Sequence, residues 1–231
     1  FFYSPSLPIV SSLERLREMI IEHQILIVAG ETGSGKTTQL PKLCLELFHD
    51  AKGWIGCTQP RRIAATSVAE RVAEELGKHR DLVGSKIRFR DKTTPATRIK
   101  FMTDGVLLAE IRNDPLLKKY QVVIVDEAHE RNLNIDFLLG YLHTLISKRD
   151  DLKLIITSAT IDTEAFSAHF HQAPVVNIEG RTYPVEIIYS PPPEDENEIS
   201  YLEHCIDVIA EICTTNYPGD VLVFLPTEKD I

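Results

Sequence analysis

Residues 25–40 read ILIVAGETGSGKTTQL, and no other stretch restricts the possible folds so tightly. The run from Ile25 to Ala29 is apolar at every position, as in a strand buried on both faces. Gly30, Gly35, Lys36 and Thr37 then fit G-x-x-x-x-G-K-[ST], between a predicted strand and a predicted helix. Glycines there let the backbone wrap closely, so that successive N–H groups and the helix N-terminus point at phosphate oxygens. Lys36 is suited to bridge a β- and a γ-phosphate, and the Thr37 hydroxyl to ligate Mg²⁺.

The surrounding chain has the matching alternation. Strands are predicted at 25–30, 54–59, 86–90 (KIRFR), 99–103, 122–127 (VVIVDE), 154–160 (LIITSAT) and 174–179. Between several of them lie stretches with apolar residues at helical spacing, such as SSLERLREMIIEH, RRIAATSVAERVAEEL and DFLLGYLHTLIS. The fold class expected is α/β, a mainly parallel sheet covered by helices on both faces. Ligands of such sheets sit at the carboxyl ends of the strands. Near residue 181 the pattern breaks: RTYPVEIIYSPPPEDENEIS combines four prolines with an acidic run, the composition of a linker. A helical pattern, YLEHCIDVIAEIC, and a further strand-like run, VLVFLP, follow. The organisation expected is an N-terminal extension (1–10), one α/β domain (11–180), and a linker with the start of a second α/β domain (181–231). With FFYSPSLPIV at one end and VLVFLP near the other, the chain reads as a fragment of a longer protein.

Composition excludes some classes. No apolar run approaches the length that crosses a bilayer, and no secretory signal pattern opens the chain. Cys44, Cys57, Cys205 and Cys213 form no C-x-x-C pair and read as buried thiols of a reducing, cytoplasmic compartment. The formal net charge of −9 resides in residues 181–231, which hold 11 acidic and 2 basic side chains. Residues 1–180 balance at 23 and 23, so a local basic face for nucleic acid remains open to them.

VVIVDEAHER (122–131) ends a greasy run in a crowd of charge. Taken alone, the two carboxylates read as a solvated turn. Beside a phosphate loop, Asp126 becomes a candidate ligand for nucleotide-borne magnesium and Glu127 the base for an attacking water. A zinc site is disfavoured, because His129 and Glu127 lack a second histidine at ligand spacing. Ser158 and Thr160 in TSAT offer hydroxyls at another strand end, although such a turn also serves simply as a helix cap. Arg61 and Arg62 open a helix, and Thr103, Asp104 and Gly105 mark one more strand-to-helix junction. The aromatic residues form no base-stacking pattern.

Together GETGSGKTTQ, TQPRRIAATSVAERVA, MTDG, DEAHER and SAT, in this order and spacing, resemble the DEAH-box family of ATP-dependent RNA helicases, in particular its bacterial HrpA-like branch. The resemblance runs from about Ser11 to the end of the chain. It implies two RecA-like domains that clamp ATP and Mg²⁺ between them and hold RNA across their tops. By position it implies that Gly33, Ser34, Gly35, Lys36, Thr37 and Thr38 surround the phosphates, with Thr37 and Asp126 on the metal and Glu127 on the water. His129, Ser158 and Thr160 would couple nucleotide state to domain movement. Arg62, Arg88 and Thr103 would hold the RNA backbone, and Arg71 would stack on the nucleobase. The implied partner is single-stranded RNA or an RNA duplex with an overhang, bound by a cytoplasmic monomer that needs no membrane. A DNA helicase or translocase, and a nucleotide-gated binding module that unwinds nothing, are the alternatives. Because the family's transition-state arginines belong to the second domain, the fragment alone is expected to bind nucleotide weakly and hydrolyse it poorly.

Overall fold

In the computed structural model, which describes residues 1–159, 163–180, 185–192, 200–215 and 219–230, the chain divides into two units, Phe1–Thr182 and Tyr183–Ile231. The first unit holds eight strands: β1 (Ile25–Gly30), β2 (Trp54–Gln59), β3 (Val83–Ile87), β4 (Arg90–Asp91), β5 (Ile99–Thr103), β6 (Tyr120–Val125), β7 (Lys153–Ser158) and β8 (Val175–Ile178). They form one sheet in the order β4-β3-β5-β2-β6-β7-β1-β8. Every pairing is parallel except the short β3–β4 hairpin. Its helices are α1 (Leu13–Glu22), α2 (Lys36–Leu47), α3 (Arg62–Leu76), α4 (Asp104–Asn113), α5 (Leu133–Ile146) and α6 (Thr163–His169).

Alternation along the strands builds two cores. Successive side chains of a strand point to opposite faces. Leu26 and Val28 of β1 and Val122 and Ile124 of β6 therefore pack with Leu16, Leu43 and Val72 of α1, α2 and α3. Ile27 of β1 and Val123 and Val125 of β6 pack on the other side with Leu107, Leu142 and Phe166 of α4, α5 and α6. The expected mainly parallel α/β sheet with helices on both faces is what forms.

Three expected strands end early, two of them where a residue with positive φ turns the chain. KIRFR does not run straight: β3 ends at Ile87, and Phe89 with φ of 67° turns the chain into β4. VVIVDE stops at Val125, because Glu127 adopts a left-handed conformation. LIITSAT forms strand only to Ser158. All parallel strands end on one edge of the sheet, which gathers the loops that follow β1, β2, β5, β6 and β7.

In the second unit, Ser200 caps helix α7 (Tyr201–Thr214) through a capping box with Glu203. The strand expected at VLVFLP is absent: residues 221–225 are non-regular, with Leu222 and Phe224 exposed. A strand needs a hydrogen-bonded neighbour, and among the described residues of this unit there is none. Of the cysteines read as buried, Cys44 and Cys57 are, but Cys213 on α7 is exposed. No helix among the described residues is long and apolar enough to cross a membrane.

Candidate active site

The loop from Glu31 to Gly35 leaves the buried strand β1 and enters α2. Gly33 and Gly35 have φ of 83° and 95°, a region that residues with a Cβ avoid. At Gly35 a Cβ would also lie 2.9 Å from Ile9 Cγ2. Gly35 is the N-cap of α2 and offers no side chain to the first turn, whose N–H groups are left for an anion. Buried Lys36 donates to the Gly30 carbonyl (2.6 Å), the Glu31 carbonyl (2.8 Å) and Ser34 Oγ (3.1 Å). Burial pushes its ammonium down, against the opposing pull of Asp126 and Glu127.

A cavity of about 340 Å³ opens above this loop, lined by Gly33, Lys36, Thr37, Thr38, Arg71 and Glu127 among others. The triphosphate-sized space, an ammonium, free helix N–H groups and a nearby carboxylate pair fit a nucleoside triphosphate. Ser34 is buried and hydrogen-bonds within the loop, through Oγ to the Glu31 carbonyl at 2.7 Å. Arg71, on α3, is held by Glu75 at 2.9 Å.

Asp126 follows β6 and is 1% exposed. Its Oδ1 accepts from the Thr157 hydroxyl and from the Glu127 N–H at 3.1 Å, and its Oδ2 accepts from Gln59 Nε2 at 2.6 Å. Glu127 has φ of 54° and ψ of 39°, a conformation that costs a residue with a side chain on the order of 1–3 kcal/mol. That turn sends the two adjacent carboxylates to different places, one into the sheet edge and one to the cavity wall. Burial first, and the Asp126 charge second, push the Glu127 carboxyl up. His129 accepts from the Ala159 N–H through Nδ1 at 3.1 Å, so its proton sits on Nε2, 3.3 Å from Glu127 Oε2. Among the described residues no group of three or more His, Cys, Asp or Glu side chains is arranged to hold a metal ion alone. Ser158 at the end of β7 is fully buried, and Thr160 lies outside the described residues.

Arg62, Arg88 and Thr103 are brought together elsewhere. They line a second cavity, of about 650 Å³, with Phe89, Gly105 and Asn134. Arg62 starts α3, Arg88 sits in the turn after β3, and Thr103 is the N-cap of α4. Two residues here escaped the sequence reading. Phe89 is 92% exposed with the Arg88 guanidinium 4.8 Å from its ring, and Gln59 reaches Asp126. The KIRFR pattern gave no sign of the turn that exposes Phe89. Asp104, which also lines this cavity, and Thr58 near the end of β2 are both buried.

Comparison with known proteins adds the lineage. The family described as DEAD/DEAH box helicase matches residues 14–167. The chain is 53% identical to the ATP-dependent RNA helicase HrpA of Escherichia coli (strain K12), over 99% of this chain and 18% of that protein. It is 49% identical to the pre-mRNA-splicing factor ATP-dependent RNA helicase prp22 of Schizosaccharomyces pombe, over 97% of this chain and 19% of that protein. The chain thus spans about a fifth of the length of these relatives. With a match over most of the first unit and the phosphate loop and DEAH turn on one sheet edge, the chain belongs to the DEAD/DEAH box helicase family.

Proposed function

We propose that the protein is the ATP-driven motor of an RNA helicase, hydrolysing ATP in the smaller cavity and holding the RNA backbone in the larger one. The observation that carries this reading is the placement of both cavities on one edge of one sheet, with β3, β5 and β2 leading to the larger and β6 and β1 to the smaller. Lys36 would leave its loop carbonyls for the β- and γ-phosphates, and the N–H groups of the α2 first turn would hold phosphate oxygens. Magnesium bound with the nucleotide neutralises phosphate charge, and Thr37 and Asp126 are the residues that would hold it. Glu127 takes the proton of the attacking water, and the Nε2 proton of His129 orients its carboxylate. Arg71 covers the base, while Ser158 and Thr160 couple nucleotide state to domain movement. Arg62, Arg88 and Thr103 grip phosphates rather than base edges, which favours weak sequence preference and strong salt dependence. Residues 181–231 are read as a linker and the opening of a second RecA-like domain. Names of the relatives, ATP-dependent RNA helicases, support the reading.

The test is steady-state ATP hydrolysis by the intact protein without nucleic acid, with single-stranded RNA and with single-stranded DNA. Stimulation by RNA, abolished by Lys36→Ala, is the expected result. Preferential stimulation by DNA would replace RNA by DNA in this reading, and indifference to both would reduce the site to a nucleotide-controlled switch.

A further inference from the structure

The strand order puts two groups of residues on opposite sides of one border. On one side, β3 and β5 deliver Arg88 and Thr103 to the larger cavity. On the other, β6, β7 and β1 lead to Asp126, Ser158 and the phosphate loop. Between them lies β2, with Gln59 in register with Thr103 of β5 and Thr58 with Val125 of β6. Gln59 ends this strand, is 3% exposed, and donates across the border to Asp126 Oδ2 at 2.6 Å. The residues that follow it, Pro60 and Arg62, line the larger cavity. A second, longer and more exposed bridge crosses the same border from Arg61 to Glu130 at 3.5 Å.

We propose that Gln59 is a positioning residue that links occupancy of the larger cavity to the orientation of the Asp126 carboxylate, and the reverse. The inference rests on the functional reading above and adds a route to it. Asp126 Oδ1 is fixed by the β6–β7 side of the border, through Thr157 and the Glu127 N–H. Among the described residues, the Gln59 amide alone holds Oδ2. A hydrogen bond from an amide to a carboxylate is charge-assisted, short and sensitive to displacement. A phosphate backbone pulling on Arg62 acts on the β2–α3 junction three residues from Gln59, so a small shift there changes how Oδ2 is presented to a metal. Coupling between two binding sites is reciprocal, so a nucleotide that reorients Asp126 alters the grip on RNA by the same factor. A glutamine with a packing role only would, when replaced, weaken the fold or one affinity. A link, when cut, removes the mutual effect and leaves the separate affinities.

The experiment measures the affinity of the intact protein for a fluorescein-labelled single-stranded oligouridine, by anisotropy, with and without magnesium and a non-hydrolysable ATP analogue. For the unaltered protein the two affinities should differ by about 5-fold or more, the lower end of measured allosteric couplings. In Gln59→Leu that ratio should fall to within about 2-fold of unity while RNA affinity without nucleotide stays within about 3-fold, since the sites are otherwise intact. Gln59→Asn, one carbon–carbon bond shorter, keeps an amide in the pocket and should show the same collapse; it stands in if the leucine variant loses its circular-dichroism signature. An unchanged ratio in the variants overturns the inference and leaves the functional reading in place. Loss of RNA affinity in the absence of nucleotide also overturns it, because Gln59 would then shape the cavity rather than connect it. If the unaltered protein does not bind the RNA, the functional reading fails and takes this inference with it.

Discussion

Glu110 offers a quantitative test of how the unit carrying the proposed site is held together. Its carboxylate, on α4, accepts from Lys100 Nζ at 2.5 Å, Tyr120 Oη at 2.5 Å and Lys86 Nζ at 3.1 Å. These three donors come from β5, β6 and β3, so one side chain ties a helix to strands on both sides of β2. Lys100 is 1% exposed, and its ammonium also lies 4.6 Å from the Trp54 ring. Burial pushes the Glu110 carboxyl up, but hydrogen bonds from Lys100 and Tyr120 more than offset this and hold it low. Glu110→Ala strands the Lys100 charge in the core, which should cost about 3–5 kcal/mol, while the half-buried, solvent-screened Lys86 pair adds only about 0–1 kcal/mol. Lys100→Met should cost much less, about 1–2 kcal/mol, because Glu110 keeps two partners and no charge is left bare. The double variant should therefore be more stable than Glu110→Ala alone, an inversion of additivity. Urea unfolding followed by the fluorescence of Trp54, the one tryptophan of the chain, reads this unit directly. A double variant no more stable than Glu110→Ala would refute the reasoning and assign the loss to the cavity left by the side chain.

Glu127→Gln should retain nucleotide affinity and lower turnover by about 10²–10⁴-fold, the usual contribution of a general base, as judged by ATP binding and single-turnover hydrolysis. On the proposed reading, ATP hydrolysis by the unaltered protein should fall as pH drops through a value above the ordinary 4.5 of glutamate, since a raised Glu127 carboxyl can act as base only when ionised; an acid limb at or below 4.5 would contradict that proposed role. Gly35→Ala should weaken nucleotide binding and cost about 1–3 kcal/mol of stability, from positive φ and the Ile9 contact together, measured by titration calorimetry and urea unfolding.

Much of the fold was legible because it rests on local pattern. Doubly apolar runs announced buried strands, and the glycine spacing after β1 announced the phosphate loop, since only a few backbone conformations accept those residues. Boundaries were missed where one residue with positive φ, Phe89 or Glu127, bends the chain, and nothing in residue type marks such a position. VLVFLP misled because strand formation depends on a neighbour as well as on β-branched composition. Gln59 was invisible for a different reason. WIGCTQ reads correctly as a strand, but its meaning depends on lying beside β6, and strand order is not written in the strand. The polar ends of β2, β5, β6 and β7 were readable one by one; which of them touch was not.

The first ten residues precede the strand–helix alternation and lie outside the stretch matched to the family, which begins at residue 14. Yet the Ile9 N–H donates to the Ser34 carbonyl at 3.0 Å, Ile9 is fully buried, and Lys42 grips the Phe2 carbonyl at 2.8 Å. Tyr3 is anchored to Glu46 at 2.8 Å on the same helix, α2. A protein trimmed to start at residue 11 would keep every strand and lose the floor under its phosphate loop. The family match thus begins beyond residues that brace the phosphate loop, and any truncation made for experiment should keep them.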